Sequence, residues 1–215
     1  MLFGKASKSI EELVKGLNFE IVSKNPDLIL TYGGDGTLLS SEREYPRIPK
    51  LPLRESQFCH KCATHKDEVL LKNLLDDKLK LKEYKKLETT ILYKNFYALN
   101  DFVIRNFSPI HAIRFEVNDK FLIGDGIAVS TLFGSSGYFK SITRQTFKDE
   151  FGVAFNNTTE KLDPLFLKDE GSLTFKLIRG KATLSFDNSP DIFTIDKDSE
   201  LIFKLSDQVA KIYQD

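Results

Sequence analysis

One stretch constrains this chain more than any other: Pro26-Asp27-Leu28-Ile29-Leu30-Thr31-Tyr32-Gly33-Gly34-Asp35-Gly36-Thr37. Leu28 to Tyr32 is apolar and β-prone, with Pro26 before it and glycines after it. This predicts a short buried strand running into a turn, with a helix behind the turn. Three glycines around one aspartate have no packing rationale. Glycine lets a ligand approach the main chain closely. A run of N–H groups in such a turn, beside a helix N-terminus, makes an anion site suited to phosphate. Asp35 in that nest repels a phosphate unless it holds a divalent cation or takes a proton from a substrate hydroxyl, and phosphoryl transfer needs both jobs. The competing reading is a strand-to-helix turn with Asp35 as a helix cap.

At 215 residues the chain is one large domain or two small ones. Lys+Arg and Asp+Glu both number 31. The zero net charge gives no electrostatic pull toward nucleic acid or an anionic membrane. No apolar run approaches the ~20 residues of a membrane span. The opening Met1-Leu2-Phe3-Gly4-Lys5 lacks the apolar region and cleavage site of a signal peptide. Two cysteines give no disulfide framework. The expectation is a cytoplasmic, soluble chain.

Residues 8–17 predict an amphipathic helix, with Ser9 and Glu12 spaced as a capping box. Phe19 to Val22 predicts a strand, and Leu38 to Glu44 a helix that Pro46 stops. Residues 46–66, with three prolines, read as irregular. Cys59, His60, Cys62 and His65 fall within this stretch. Cys-x-x-Cys supplies half a zinc site, with Cys59, Cys62 and His65 as candidates. The second half is missing, since the one other histidine is His111. The alternative there is a reduced, ordinary loop. Residues 67–80 predict a helix with an apolar stripe.

From about residue 81 the pattern turns to period two and short apolar runs. It predicts strands over Lys86–Tyr93, Asn95–Ile104, Ile110–Val117, Lys120–Leu122, Ile127–Thr131, Leu173–Ile178, Ala182–Phe186, Ile192–Ile195 and Leu201–Leu205. Asn118-Asp119 suits a hairpin turn. The predicted fold class is α/β plus all-β. A small parallel α/β domain, 1–84, carries the glycine loop, an antiparallel β-rich domain spans 85–199, and a tail, about 200–215, packs back on the first.

Two further clusters lie in the β-rich part. Leu99-Asn100-Asp101 sets an amide beside a carboxylate at the edge of an apolar strand. Gly124-Asp125-Gly126 precedes Ile127-Ala128-Val129-Ser130-Thr131, which opens into Leu132-Phe133-Gly134-Ser135-Ser136-Gly137-Tyr138-Phe139-Lys140-Ser141. Small hydroxyl residues with an aromatic suit hydrogen bonding to a sugar or base. The order and spacing of the three clusters, over residues 26–141, resemble the NAD kinase family. Lipid kinases share the first cluster but follow it with a different Asn-Glu pattern, and phosphofructokinases lack the second and third.

The resemblance implies a two-domain fold and transfer of the terminal phosphoryl group of ATP, or polyphosphate, to the 2′-hydroxyl of the adenosine ribose of NAD. It implies Mg²⁺ or another divalent cation with ATP, and a homodimer or homotetramer. Asp35 matches the catalytic carboxylate, and Gly33, Gly34, Gly36 and Thr37 the phosphate loop. Asn100 and Asp101 match an Asn-Glu pair that holds ribose and base, with Asp for Glu. Ser136, Tyr138 and Ser141 match hydroxyl positions around the dinucleotide. Asp125 matches a carboxylate often supplied to a neighbouring subunit's site. Two departures stand out. Phe133 replaces a hydroxyl residue, and a Gly/Asn-rich segment of the family gives way to Pro49-Lys50-Leu51-Pro52-Leu53-Arg54. They leave two rivals: a binding module without turnover, and a kinase of another hydroxyl substrate, lipid or sugar.

Overall fold

The computed structural model describes all residues except 56–58, 60, 63–65, 149–150, 169 and 215. The chain divides into two compact units, Met1–Tyr84 with Val209–Asp215, and Lys85–Gln208.

The first unit carries β1 (Leu2–Phe3), α1 (Glu11–Gly16), β2 (Ile29–Gly33), α2 (Asp35–Glu44), β3 (Lys50–Arg54) and α3 (Asp67–Leu75). β1, β2 and β3 pair in parallel. The end of the last strand adds to them, pairing in parallel with β3 at Ile212 and Lys50. The core is Ile10, Val14, Leu30, Leu51, Leu53, Leu70, Leu71 and Leu79.

Three expectations fail here. The Ser9–Glu12 capping box does not form, because Ser9 Oγ donates to the Ala6 carbonyl (2.8 Å) and a 3₁₀ turn, Ser7–Ile10, precedes α1. Phe19–Val22 is not a strand, although Phe19 and Ile21 pack on the core. The stretch read as irregular contains β3. Its Pro49 and Pro52 disguised it, yet Pro52 needs no second ladder partner where the closing strand pairs at Lys50. Of the predicted helix over 67–80, α3 ends at Leu75; Asp77, at φ 55°, turns the chain.

The second unit holds β5 (Lys94–Ala98), β6 (Asp101–Asn106), β7 (Ile113–Val117), β8 (Lys120–Gly124), β9 (Gly126–Thr131), α4 (Tyr138–Thr143), β10 (Phe151–Asn156), β11 (Leu165–Leu167), β12 (Ser172–Arg179), β13 (Ala182–Phe186) and β14 (Phe193–Ile195). Two strands, β4 (Lys80–Ile91) and β15 (Glu200–Gln214), contribute to both units. One antiparallel sheet has the order β11-β10-β9-β6-β13-β14. The facing layer runs β15-β12-β7-β8, with the β4–β5 hairpin beside it.

Period-two alternation explains this unit. Phe102 and Ile104 of β6, Ile127 and Val129 of β9, and Phe151 and Val153 of β10 enter the core between the sheets. Val103, Ala128 and Ala154 face the other way, against Phe139 and Phe147. Strand β9 is therefore buried on both sides. Asn118 and Asp119, at φ 46° and 63°, form the two-residue hairpin that joins β7 to β8. The predicted strand over Asn95–Ile104 is interrupted at Leu99-Asn100, and that break is where candidate site residues gather.

Candidate active site

In the first unit β2 ends at Gly33, Gly34 is the N-cap, and α2 begins at Asp35. The helix N-terminus thus faces the glycine loop, with Asp35 in the first turn. Gly33 is forced: a Cβ there would lie 2.2 Å from Thr37 Oγ1. The Thr37 N–H donates to the Gly34 carbonyl (3.0 Å), which closes the turn. Gly33, Gly34, Asp35, Gly36 and Thr37 are thereby brought into one turn.

Asp35 is oriented by the segment after β3. Its Oδ1 accepts the Lys61 backbone N–H (2.9 Å). Cys59 Sγ sits 3.2 Å from the same oxygen. Cys59 and Cys62 are bonded to each other as a disulfide. That corrects the reduced-loop reading, and sulfurs so joined offer no thiolate to zinc. His65 lies outside the described residues. Among the described residues no group of three or more His, Cys, Asp and Glu side chains could hold a metal ion. Burial lowers the Lys61 ammonium pKa, opposed by the Asp35 carboxylate.

In the second unit the break between β5 and β6 is built on Asp187. This carboxylate accepts three backbone N–H groups, from Leu99 (2.9 Å), Asn100 (2.7 Å) and Asp101 (3.2 Å). Across the break, Thr131 Oγ1 donates to the Leu99 carbonyl and accepts the Gly134 N–H (3.0 Å), while the Thr131 N–H donates to the Asn100 carbonyl (2.9 Å). Gly134 is again forced, because a Cβ would lie 2.1 Å from the Asn100 carbonyl oxygen. The 3₁₀ turn Phe133–Ser136 then leads into α4.

Two properties of this cluster are chemical. Asn100 Oδ1 is buried and has no hydrogen-bond partner among the described residues. Asp101 is nearly fully buried; burial, then the Asp187 carboxylate, push it up to about 8 despite a bond from the Tyr138 N–H. Burial raises Asp187 as well, to about 6, opposed by its three N–H donors and by Lys86. Burial and the adjacent Asp187 carboxylate thus favour the protonated form of Asp101, the form able to donate a hydrogen bond.

The other expected residues are placed as follows. Ser136 is half-buried, while Tyr138 and Ser141 are exposed on α4. Ser141 Oγ donates to the Tyr138 carbonyl (2.7 Å). Phe133 is buried. Asp125 is not brought to the Asn100–Asp101 cluster. It precedes β9, whereas Thr131 ends it, about 20 Å away at strand rise. Its carboxylate accepts amide N–H groups from Asn106 (3.2 Å) and Asn157 (2.9 Å). Sequence reasoning missed Asp187, Lys86, Thr131 and Lys61. Asp187, in Phe186-Asp187-Asn188 with φ 47°, reads as an ordinary turn residue.

No family model matches the chain. An NAD kinase of Limosilactobacillus reuteri is 28% identical over 218 residues, covering 95% of this chain and 74% of its own length. An NAD kinase of Aquifex aeolicus is 29% identical over 240 residues, covering 96% and 87%. A solved NAD kinase of Archaeoglobus fulgidus, in complex with ATP, superimposes with a TM-score of 0.78 at 20% identity, covering 98% of this chain and 90% of its own. The fold, a parallel α/β unit and an antiparallel β-rich unit, is that of the NAD kinases. Over nearly its whole length the chain is similar to NAD kinases.

Proposed function

We propose that the chain transfers the terminal phosphoryl group of ATP, or of polyphosphate, to the 2′-hydroxyl of the adenosine ribose of NAD, giving NADP. The observation that carries this reading is the buried Asn100 Oδ1, without a hydrogen-bond partner among the described residues, beside the buried Asp101 carboxyl. A buried acceptor without a partner costs about 1–3 kcal/mol. An adenosine supplies the missing donor, and Asp101 can donate in return. Asp35 takes the hydroxyl proton, with Oδ1 held by Lys61 N–H so that the carboxylate has one orientation. The amide-rich start of α2 receives the donor phosphates. Asp35 and the Thr37 hydroxyl are hard oxygen donors of the kind Mg²⁺ prefers; bound with ATP, Mg²⁺ neutralises phosphate charge. Catalysis is otherwise positioning.

The placement of Asp125 supports a homodimer or homotetramer in which it serves a neighbouring copy. No helix of the described residues is long and apolar enough to cross a membrane, in keeping with a cytoplasmic role. Phe133, buried where the family has a hydroxyl residue, favours the second reading, a dinucleotide-binding module without turnover.

The test is NADP formation from NAD with Mg-ATP, run beside Asp35→Asn. Product from the wild type alone supports the kinase and its base. Binding of NAD by calorimetry with no product from either supports the binding module.

A further inference from the structure

The Cys59–Cys62 pair serves no step of the proposed reaction, yet it is built onto the phosphate loop. Cys59 Sγ lies 3.2 Å from Asp35 Oδ1, and the Lys61 N–H, from between the two cysteines, donates to the same oxygen (2.9 Å). Cys62 Sγ lies 3.7 Å from the carbonyl oxygen of Gly33, the first glycine of the loop. The Arg54 guanidinium anchors the turn by donating to the Cys59 carbonyl (2.8 Å). The disulfide closes a ring of four residues whose one described interior N–H is the donor to Asp35.

We infer that Cys59–Cys62 is a thiol–disulfide exchange site whose redox state sets the orientation of the Asp35 carboxylate. The inference rests on the reading of Asp35 as the base. A small dithiol attacks one sulfur of the pair. The protein S–S bond breaks and a mixed disulfide forms. The reductant's second thiol then displaces the protein sulfur and leaves as a cyclic disulfide. Two electrons and two protons pass to the pair, leaving two thiols.

Reduction changes Asp35 in two ways. The separated sulfurs withdraw to van der Waals contact, so the turn opens and the Lys61 N–H is no longer held against Oδ1. The Cys59 sulfur, which cannot donate in the disulfide, becomes a thiol donor beside that oxygen. The first loosens the alignment of a base that must meet a hydroxyl at hydrogen-bond distance, and the second stabilises its charge and so makes it a weaker proton acceptor. The disulfide form is the faster form.

The experiment uses the full chain, treated with dithiothreitol or left oxidised. Alkylation and intact mass count the thiols. Reduction is expected to expose two thiols and to lower kcat for NADP formation at least about tenfold, the scale of a misplaced group, with KM for NAD unchanged. The Cys59→Ser/Cys62→Ser double variant should give one kcat with and without reductant. Deuterium uptake of the peptide spanning Cys59–Cys62 should rise on reduction, a readout that needs no turnover. Equal kcat and equal uptake in the two redox states overturn the inference. Redox-dependent uptake with no NADP from either form overturns the kinase reading and leaves the exchange site standing.

Discussion

The Lys50 ammonium, fully buried in β3, donates to the Glu42 carboxylate on α2, the helix that starts at Asp35. It also donates to the Tyr45 carbonyl (2.5 Å) just past the helix end. The pair therefore fixes α2 against the sheet from within. Removing one partner leaves a buried charge, which costs about 3–5 kcal/mol. Lys50→Ala should lower the urea midpoint accordingly, and Lys50→Met with Glu42→Leu should recover much of the loss. An exposed-pair effect, under about 1 kcal/mol, would contradict the burial.

Asp35 separates its two readings by one substitution. As the base, Asp35→Asn should reduce kcat about a hundredfold or more. As a first-turn acid stabilising a helix, it should change stability by at most about 1 kcal/mol and turnover little. Steady-state kinetics alongside urea unfolding distinguishes the two.

The Asp101–Asp187 pair predicts an uncommon pH dependence. Asp101 is pushed up to about 8 and Asp187 to about 6, from an ordinary 3.8. The folded chain therefore holds protons that the unfolded chain releases between about pH 4 and pH 8. The stability they contribute is complete below the unfolded value and is lost as pH rises through the folded ones. Unfolding free energy should fall by a few kcal/mol, in order of magnitude, from pH 5 to pH 9, at ~1.4 kcal/mol per unit of pKa difference. Asp101→Asn should flatten the profile, and a profile that rises over this range would refute the protonated acid.

Gly134 and Gly137 should respond differently to alanine. At Gly134 a Cβ would meet the Asn100 carbonyl oxygen at 2.1 Å, which neither backbone can relieve without moving. Gly134→Ala should lose NAD binding by calorimetry at least about tenfold, together with stability. At Gly137 the nearest atom is the Gly134 carbonyl oxygen at 3.2 Å, with Asp101 Oδ2 at 3.7 Å. Gly137→Ala needs a shift of tenths of an ångström and should keep affinity within about threefold.

Much of this was legible in the sequence, for physical reasons. Leu28–Tyr32 announced β2 because an apolar run between Pro26 and glycines has few other folds. Ile127–Thr131 announced β9 because both its faces are buried. Asn118-Asp119 announced a hairpin because both residues tolerate positive φ. β3 escaped because Pro52 argues against a strand unless the ladder partner is known. Phe151–Asn156, which forms β10, escaped because its alternation of Phe, Gly and Ala is set by packing against Phe139 and Phe147. The site was half legible. Asn100 and Asp101 carry visible chemistry. Asp187 reaches them from 86–88 residues away through backbone bonds that leave no pattern in the chain. The Cys59–Cys62 bond was misjudged because cysteine number says nothing of proximity.

The division of β15 between the units has a consequence for synthesis. Val209–Gln214 completes the parallel sheet of β1, β2 and β3, where Ile212 pairs with Lys50. A chain leaving the ribosome makes those three strands first and receives their fourth last. The sheet of the N-terminal unit is therefore completed only after its successor has been made. Until residue 212 emerges, β3 presents an open edge beside a charged lysine destined for the interior. The nascent first unit is the one that must wait, and it is the one that carries Asp35.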